Sequence, residues 1–376
     1  MIDISFLGKN KNIKELEIDS YWAKIYDYSF LSTLKQLESI SLKYSKISDF
    51  SFMNKNIKKL KLIDCTNIKD FSFISYLENL ECLYITKNTE YLLNFTDISF
   101  LEKTQNLREL NLSNCEYVKN FSYIKNLKKL EKLDLGRTYI SDLSFLEKLQ
   151  NIQELNLIFT NITDISFLEG TINIKELNLK GCYKIRDFSY IKNAEKLEVL
   201  ILESTDINDI SFLAGNKCLK TLNLNECHNI KDFSFIKNCK KLEKLSLFDT
   251  KIDDISFLEN NKNITYLNLI NSQNIKDYSY IKNCEKLDIL NANRSNINDI
   301  SFLEKTKKIK QLFLFSCDSI KDFSYMKYLE ELEILDLGRT NISNISFLIN
   351  NKNIKEINII LIKIVKIKNQ EKTQVL

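Results

Sequence analysis

The only histidine of the chain, His228, directly follows a cysteine, Cys227. A cysteine thiol and a histidine imidazole are the nucleophile and base of one class of covalent catalysis. That chemistry needs the two side chains to face each other, with a third group that orients the base. Adjacent residues in a turn point apart, and no orienting group is evident nearby. We therefore predict that His228 is an exposed loop residue, that no residue is catalytic, and that the protein is not an enzyme.

Five cysteines occupy the same place in a recurring pattern: Cys65, Cys115, Cys182, Cys227 and Cys317. A zinc site needs its sulfur ligands about 2.3 Å from one point. Spacings of 45 to 90 residues place these cysteines in different turns of a repeat, with most of them roughly 10 Å apart. We expect no metal here and predict small buried residues bonded to the turn backbone.

Recurrent aspartates, such as Asp142, Asp164, Asp187 and Asp209, are candidates for calcium ligands. Each is followed by an apolar residue and Ser, and no Gly-rich calcium loop is present. An aspartate in this position caps the start of a short helical turn by accepting backbone N–H bonds. With only six Gly and no phosphate-binding or hydrolase motif, the sequence predicts no cofactor.

Charge and composition also bear on which partners and which cellular location the sequence predicts. The net charge of +4 is small beside 54 basic and 50 acidic residues, so we expect neither nucleic acid nor a membrane as partner. No basic stretch precedes a long apolar run at the start, and no membrane span is seen. Nine cysteines without a Cys-x-x-Cys pair indicate reduced thiols and a cytoplasmic location. The sequence carries no signal of oligomeric state.

These residues belong to a repeat. A serine followed by Phe or Tyr recurs sixteen times, mostly 22 or 23 residues apart. Residues 130–146 and 332–348 are identical at thirteen of seventeen positions. Between the serines runs L-x-x-L-x-L, a period-two pattern that turns both leucines to one face of a short strand. Units this short bury that face only by stacking, which predicts a solenoid with a parallel sheet on one side. We expect Phe145, Phe167, Tyr190 and Phe212 to stack as an aromatic spine in its core.

The pattern resembles the leucine-rich repeat family, and in particular the bacterial 22-residue repeats typified by internalins. The segment Thr138–Leu146, TYISDLSFL, corresponds to the family's Asn-x-Ile-x-Asp-Ile-x-Pro-Leu, with Phe where the family has Pro. The cysteine form of the 23-residue unit resembles the cysteine-containing subtype. The resemblance implies an α/β solenoid, an arc with a parallel β-sheet on its concave face and short 3₁₀ or helical turns on its convex side.

We expect a repeat domain of about sixteen units over residues 1–356 and an irregular strand or cap with a tail over 357–376. Extra residues at 86–95 predict a projecting loop. The residue after the first Leu of each strand alternates in charge, as in Glu38, Lys58 and Glu81. Such side chains lie about 4.8 Å apart on neighbouring strands, where opposite charges attract.

Outward strand positions are usually polar, so the apolar ones among them are candidates for partner contacts. The larger group falls on consecutive strands, with two arginines at its rim: Phe248, Tyr266, Ile270, Ile289, Phe313, Phe315, Ile334, Arg294 and Arg339. A smaller group comprises Ile158, Phe159, Val199 and Ile201, and Arg137 lies at another strand exit. The alternative is that Phe and Ile are scattered without function.

We predict a non-catalytic scaffold that binds a protein partner on the concave face. Two alternatives stay open: a surface or secreted adhesin of internalin type, and an inhibitor or immunity protein that blocks an enzyme or toxin.

Overall fold

A computed structural model describes residues 2–22, 25, 27–51, 53–87 and 95–359. The chain forms two compact units, Met1–Leu219 and Lys220–Leu376, which we call the N-terminal and C-terminal units. The loop predicted at 86–95 lies mostly outside the described residues, as does the segment 357–376 beyond residue 359. The boundary between a repeat domain and a C-terminal cap therefore stays a prediction.

The described residues of the N-terminal unit contain nine short strands that pair in parallel and in chain order. They are β1 (Glu15–Asp19), β2 (Ser39–Lys43), β3 (Lys59–Ile63), β4 (Cys82–Thr86), β5 (Glu109–Asn111), β6 (Lys132–Asp134), β7 (Glu154–Asn156), β8 (Glu176–Asn178) and β9 (Val199–Ile201). The connections contain 3₁₀ turns at Ser5–Lys9, Ser29–Thr33, Ser72–Tyr76, Ser99–Lys103, Ser122–Asn126, Ser144–Lys148, Ser166–Glu169, Ser189–Asn193 and Ser211–Ala214.

The C-terminal unit repeats the same plan, with seven parallel strands in chain order up to residue 359. They are β10 (Thr221–Asn223), β11 (Lys244–Ser246), β12 (Tyr266–Asn268), β13 (Ile289–Asn291), β14 (Gln311–Phe313), β15 (Ile334–Asp336) and β16 (Glu356–Asn358). Its 3₁₀ turns are Ser234–Asn238, Ser256–Asn260, Ser279–Asn283, Ser301–Glu304, Ser324–Tyr328 and Ser346–Asn350.

The leucine pattern explains each strand. In β6, Leu133 and the following Leu135 are buried at 2% and 0% exposure, while Asp134 between them points to the other side of the sheet. The buried leucines of successive strands stack, which is how a unit with one apolar face builds a core. The predicted solenoid, with a parallel sheet on one side and short 3₁₀ turns in the connections, is confirmed. Within the described ranges, no helix is long and apolar enough to cross a membrane.

The recurrent aspartates start the 3₁₀ turns, as predicted. The carboxylates of Asp142 and Asp164 accept hydrogen bonds from the backbone N–H of the serine two residues later, at 2.9 and 2.8 Å. Asn120 and Asn344 make the same bond with their amide oxygens. This local bond satisfies one N–H that the short turn leaves without a backbone partner.

The predicted aromatic spine is wrong in the 23-residue turns. Phe145, Phe167 and Phe212 are buried, but Tyr190 is only half-buried. In the 23-residue turn of Tyr190, the aromatic residue before the serine, Phe188, enters the core instead and is 4% exposed. The position before the serine is buried in both kinds of turn, by Ile165 as well as by Phe188, and the ring of Phe188 at this position leaves Tyr190 only half-buried.

The alternating charges form ion pairs between neighbouring strands, as predicted. Lys58 and Glu38 lie 2.7 Å apart, Lys355 and Glu333 lie 2.8 Å apart, and Arg108 pairs with Glu131. Gln153 is an uncharged residue in this alternating series, and its amide oxygen accepts a hydrogen bond from Lys175 at 2.8 Å. Exposed pairs of this kind contribute a few tenths of a kcal/mol each and also disfavour a shifted register.

Candidate functional site on the open sheet face

We call the side of each sheet that carries the outward strand residues its open face. The central outward position of most strands holds Asn or Asp, and this residue bonds its own backbone. The Asn156 and Asn178 amide oxygens accept from the N–H two residues later, at 3.2 and 3.1 Å, and Asp134 accepts from Gly136 at 2.9 Å. The polar background of the open face is therefore structural: it satisfies N–H groups where the strands end.

Phe313 breaks this rule. It occupies the central outward position of β14, where its side chain cannot accept the hydrogen bond, and it is half-buried. The N–H that would lose its partner, that of Phe315, donates instead to the Asn293 side chain at 2.7 Å. The N–H of Phe248 is held in the same way by Asn225 at 2.9 Å. Two of the predicted contact residues thus depend on an asparagine that lies two residues after the end of the preceding strand.

The predicted group lies on five consecutive strands of the C-terminal unit, β11 to β15. All seven apolar members are half-buried, and Arg294 and Arg339 are exposed. Tyr266 and Ile289 are direct neighbours in register. Gln311 separates Ile289 from Ile334. The structure therefore gathers these residues on one open face, interrupted by polar side chains.

The backbone adopts the left-handed conformation shortly after most strands, which the spacing of residues in the sequence does not reveal. Among the residues that the structure describes, twelve other than glycine have positive φ angles between 53° and 62°, one at each of twelve strand exits. Their N–H groups continue the ladder; for example, Arg294 donates to the carbonyl of Phe315 at 2.7 Å. The left-handed conformation turns these side chains along the exit edge of the open face.

Two of these left-handed residues flank one ring. The guanidinium carbons of Arg294 and Arg339 lie 6.0 and 5.5 Å from the centroid of the Phe315 ring. The ring lies over Gly338, where an added Cβ would approach its edge to 2.8 Å. The missing side chain of Gly338 thus makes room for Phe315 between the two arginines. We call Arg294, Phe315 and Arg339 the arginine–phenylalanine triad.

The duplicated motif in the N-terminal unit gives a simpler version. Arg137 lies 4.8 Å from the centroid of Phe159, which is 41% exposed. The Phe159 ring covers Gly181, and the side chain of Ile158 covers Gly136. The remaining members of the predicted smaller group, Val199 and Ile201, lie elsewhere, on β9.

The open face of the N-terminal unit contains a hollow of about 310 Å³ between β4 and β9. Its lining includes four carboxylates, Glu109, Asp134, Glu154 and Glu176, and one ammonium, Lys132. Val199 and Ile201 line one end and Tyr84 lines the other. Sequence reasoning missed this hollow, although the register of acidic residues on β5, β7 and β8 was a usable signal.

Asp134 is a half-buried carboxylate of the hollow. Burial raises the pKa of Asp134 above its ordinary value, opposed by hydrogen bonds from Gly136, Asn156 and Asn111. Lys132 binds Glu154 at 2.6 Å, and this bond raises the pKa of Lys132. The hollow is therefore an acidic surface with one neutralising cation.

The histidine and the cysteines considered for catalysis or metal binding do not belong to these groups of residues on the open face. His228 is exposed. The thiols of Cys115, Cys182 and Cys317 are buried and donate to carbonyls of the preceding turn at 3.1, 3.0 and 3.0 Å. In the part of the chain that the structure describes, no group of three His, Cys, Asp or Glu side chains is placed to hold a metal ion.

The repeat can now be assigned to a family. The family model for the BspA type leucine-rich repeat region matches residues 5–92 and 159–276, and a second model, for two copies of leucine-rich repeats, matches residues 105–148. The first model alone covers more than half of the chain, which belongs to the leucine-rich repeat family. No curated protein matches the sequence.

Solved structures agree with this assignment. An internalin (InlF) from Listeria monocytogenes is 25% identical over 90% of this chain and 89% of its own, with a TM-score of 0.67. A leucine-rich repeat protein from Leptospira interrogans is 18% identical over 96% and 98%, with a TM-score of 0.72. The functional domain of InlJ from Listeria monocytogenes, which includes a cysteine ladder, is 17% identical over 90% and 72%, with a TM-score of 0.56. The likeness to the bacterial class is confirmed.

Proposed function

We propose that this protein is a non-catalytic scaffold that binds a protein partner on the open face of the C-terminal unit. The observation that carries the proposal is Phe313. A large apolar side chain replaces the Asn or Asp that bonds the backbone in most other strands, and Asn293, which follows the preceding strand β13, supplies the lost bond. Aromatic side chains held half-exposed on a rigid sheet suit partner binding, because little conformational freedom is lost when they are covered.

The partner-contact residues of the proposal are the nine named from the sequence, seven apolar and two cationic. The apolar members supply the area that a partner covers, and Arg294 and Arg339 supply charge at the exit edge. Leucine-rich repeats are generally interaction scaffolds, which present side chains on an extended surface.

Two observations bear on where the protein acts. All nine cysteines are free, which suits a reducing cytoplasm and supports that location. The likeness to an internalin at 25% identity favours the second candidate, a surface or secreted adhesin. Fractionation of the source cells distinguishes them, since an adhesin is found outside the cytoplasm. An inhibitor of an enzyme or toxin is a special case of the first candidate, identified by its partner.

The test is affinity capture from a lysate of the source organism, with wild-type protein beside the triple variant Phe248→Asp, Phe313→Asp, Phe315→Asp. The matched control carries Ile158→Asp, Val199→Asp and Ile201→Asp on the open face of the N-terminal unit. All three proteins must first show the same circular dichroism. We expect one protein to be retained by the wild type and the control but lost with the first variant. Retention by all three contradicts the proposed site.

A further inference from the structure

We propose that the arginine–phenylalanine triad receives carboxylate side chains of the partner, so that the partner presents an acidic and apolar segment. This inference rests on the proposed function and specifies the chemistry of the partner at that site. It concerns a single open face, that of the C-terminal unit.

The first support is that the two arginines lack a counter-ion, in contrast to the two lysines that stand directly before β14 and β16 of the same unit. On the same unit, Lys310 lies 3.2 Å from Asp288 and Lys355 lies 2.8 Å from Glu333. Arg294 and Arg339 are both exposed, yet neither forms an ion pair with any residue that the structure describes. The counter-charge for this edge of the sheet is left to a partner.

The second support is that the two guanidinium groups are held in place. Both arginines have a φ of 55°, and Arg294 is tied to Phe315 by its backbone N–H. Stacking beside one ring, at 6.0 and 5.5 Å from its centroid, restricts their side chains further. A restrained guanidinium loses less freedom when it binds, and its planar fork matches a carboxylate with two parallel hydrogen bonds.

The third support is the surface around the triad, which selects a protein segment over a small anion. Phe313 and Ile334 are half-buried apolar side chains on β14 and β15. A segment that pairs carboxylates with the arginines also covers these side chains, and covering them strengthens the ion pairs by excluding water. The acidic hollow of the N-terminal unit repels the same segment, so charge also selects which open face it occupies.

The experiment uses random twelve-residue peptides displayed on phage and selected on the full-length protein. Four proteins are compared: the wild type, the double variant Arg294→Glu, Arg339→Glu, the control Arg137→Glu, and the triple variant Phe248→Asp, Phe313→Asp, Phe315→Asp. Arg137 is the matched control because it also stacks on a ring beside the same L-D-L-G-R-T motif, but without a second arginine. Equal circular dichroism shows that all four are folded.

We expect the wild type and Arg137→Glu to enrich peptides in which Asp or Glu adjoins apolar residues. The double charge reversal should lose this preference or replace it with Lys and Arg. One enriched acidic peptide, measured by fluorescence anisotropy, should bind the double variant at least about tenfold more weakly than the wild type. Its affinity for the wild type should fall as salt rises.

The outcomes separate the two proposals. Apolar peptides without acidic residues, lost only with the triple variant, overturn the acidic partner and leave the binding face standing. Acidic enrichment that survives the double variant, or that Arg137→Glu also abolishes, overturns the role of the triad. If the wild type enriches no peptide family at all, both proposals fail.

Discussion

Replacing Gly181 by Ala tests the geometry of the strand exits. Gly181 has a φ of +68°, and an added Cβ would lie 2.2 and 2.3 Å from two atoms of the Phe159 ring. Both the backbone and the ring must therefore respond. The backbone cost is limited, because twelve described residues other than glycine adopt the same left-handed conformation at other strand exits.

The two contributions can be estimated separately. Holding alanine in the left-handed region costs about 1–2 kcal/mol. Moving the ring away breaks its contact with Arg137, at 4.8 Å, which is worth about 0.5–1 kcal/mol at an exposed site. Uncovering a further ~40 Å² of the ring adds about 1 kcal/mol at ~25 cal/mol per Å². We expect Gly181→Ala to lower the free energy of unfolding by about 3 kcal/mol.

A double-mutant cycle in urea, followed by circular dichroism, measures the ring contribution by itself. In a Phe159→Ala background, only the backbone cost remains, and Gly181→Ala should lower the free energy of unfolding by about 1–2 kcal/mol. Gly181→Asn is the second variant. Asn114 and Asn271 hold this position at φ 62° and 60°, so asparagine keeps the clash but reduces the backbone cost.

The reasoning is refuted if Gly181→Ala has the same effect with and without Phe159. The ring would then lie clear of the glycine, and the packing of the exit edge would need another explanation. An effect of Gly181→Asn that exceeds that of Gly181→Ala would contradict the backbone estimate.

Three further predictions follow from the turns. Hydrogen bonds from the serine two residues later lower the pKa of Asp187 and Asp232 below the ordinary 3.8. The ionised carboxylates therefore stabilise the folded protein above pH 3.8, and this stabilisation is lost as the pH falls through the lowered pKa values. Replacing both by Asn, which Asn120 shows to be compatible with the turn, should reduce the loss of melting temperature between about pH 6 and about pH 3. A thiol reagent should modify Cys218 rapidly in the native protein and the eight buried cysteines only on unfolding, a result that a Cys218→Ser variant checks directly. Deletion of residues 144–188 removes two complete turns. Because each turn contacts only its neighbours, the shorter protein should still unfold cooperatively and keep the same circular dichroism per residue. Loss of the circular dichroism signal would contradict contacts that are limited to neighbouring turns.

Features that repeat along the chain could be read from the sequence. The strands, the buried leucines and the aspartate bond to each serine follow from spacings of two or three residues. Such patterns are local, so each unit specifies them without knowledge of its neighbours. The ion pairs between strands were also predictable, because a constant repeat length brings equivalent residues into register.

The aromatic spine was predicted incorrectly because the 23-residue turns carry a second aromatic residue, two positions before the predicted one, and this residue fills the core. Phe188 and Tyr190 are of similar character, and their spacing along the chain does not show which of the two rings the core accommodates. The nine candidate contact residues could be named from the sequence, but their separation by Gln311 and Asn291 appears only in the register of β12 to β15.

The sequence by itself determined the family, the repeat length and the face to which each strand residue points, since these depend on the residues of one unit. Tertiary structure alone decided that Arg294 and Arg339 flank one ring, that Asn293 supplies the bond that Phe313 cannot, and that four carboxylates share a hollow. Each of these arrangements joins side chains from different turns. Their contacts depend on side-chain size and rotamer across the sheet, which the spacing of residues along the chain does not specify.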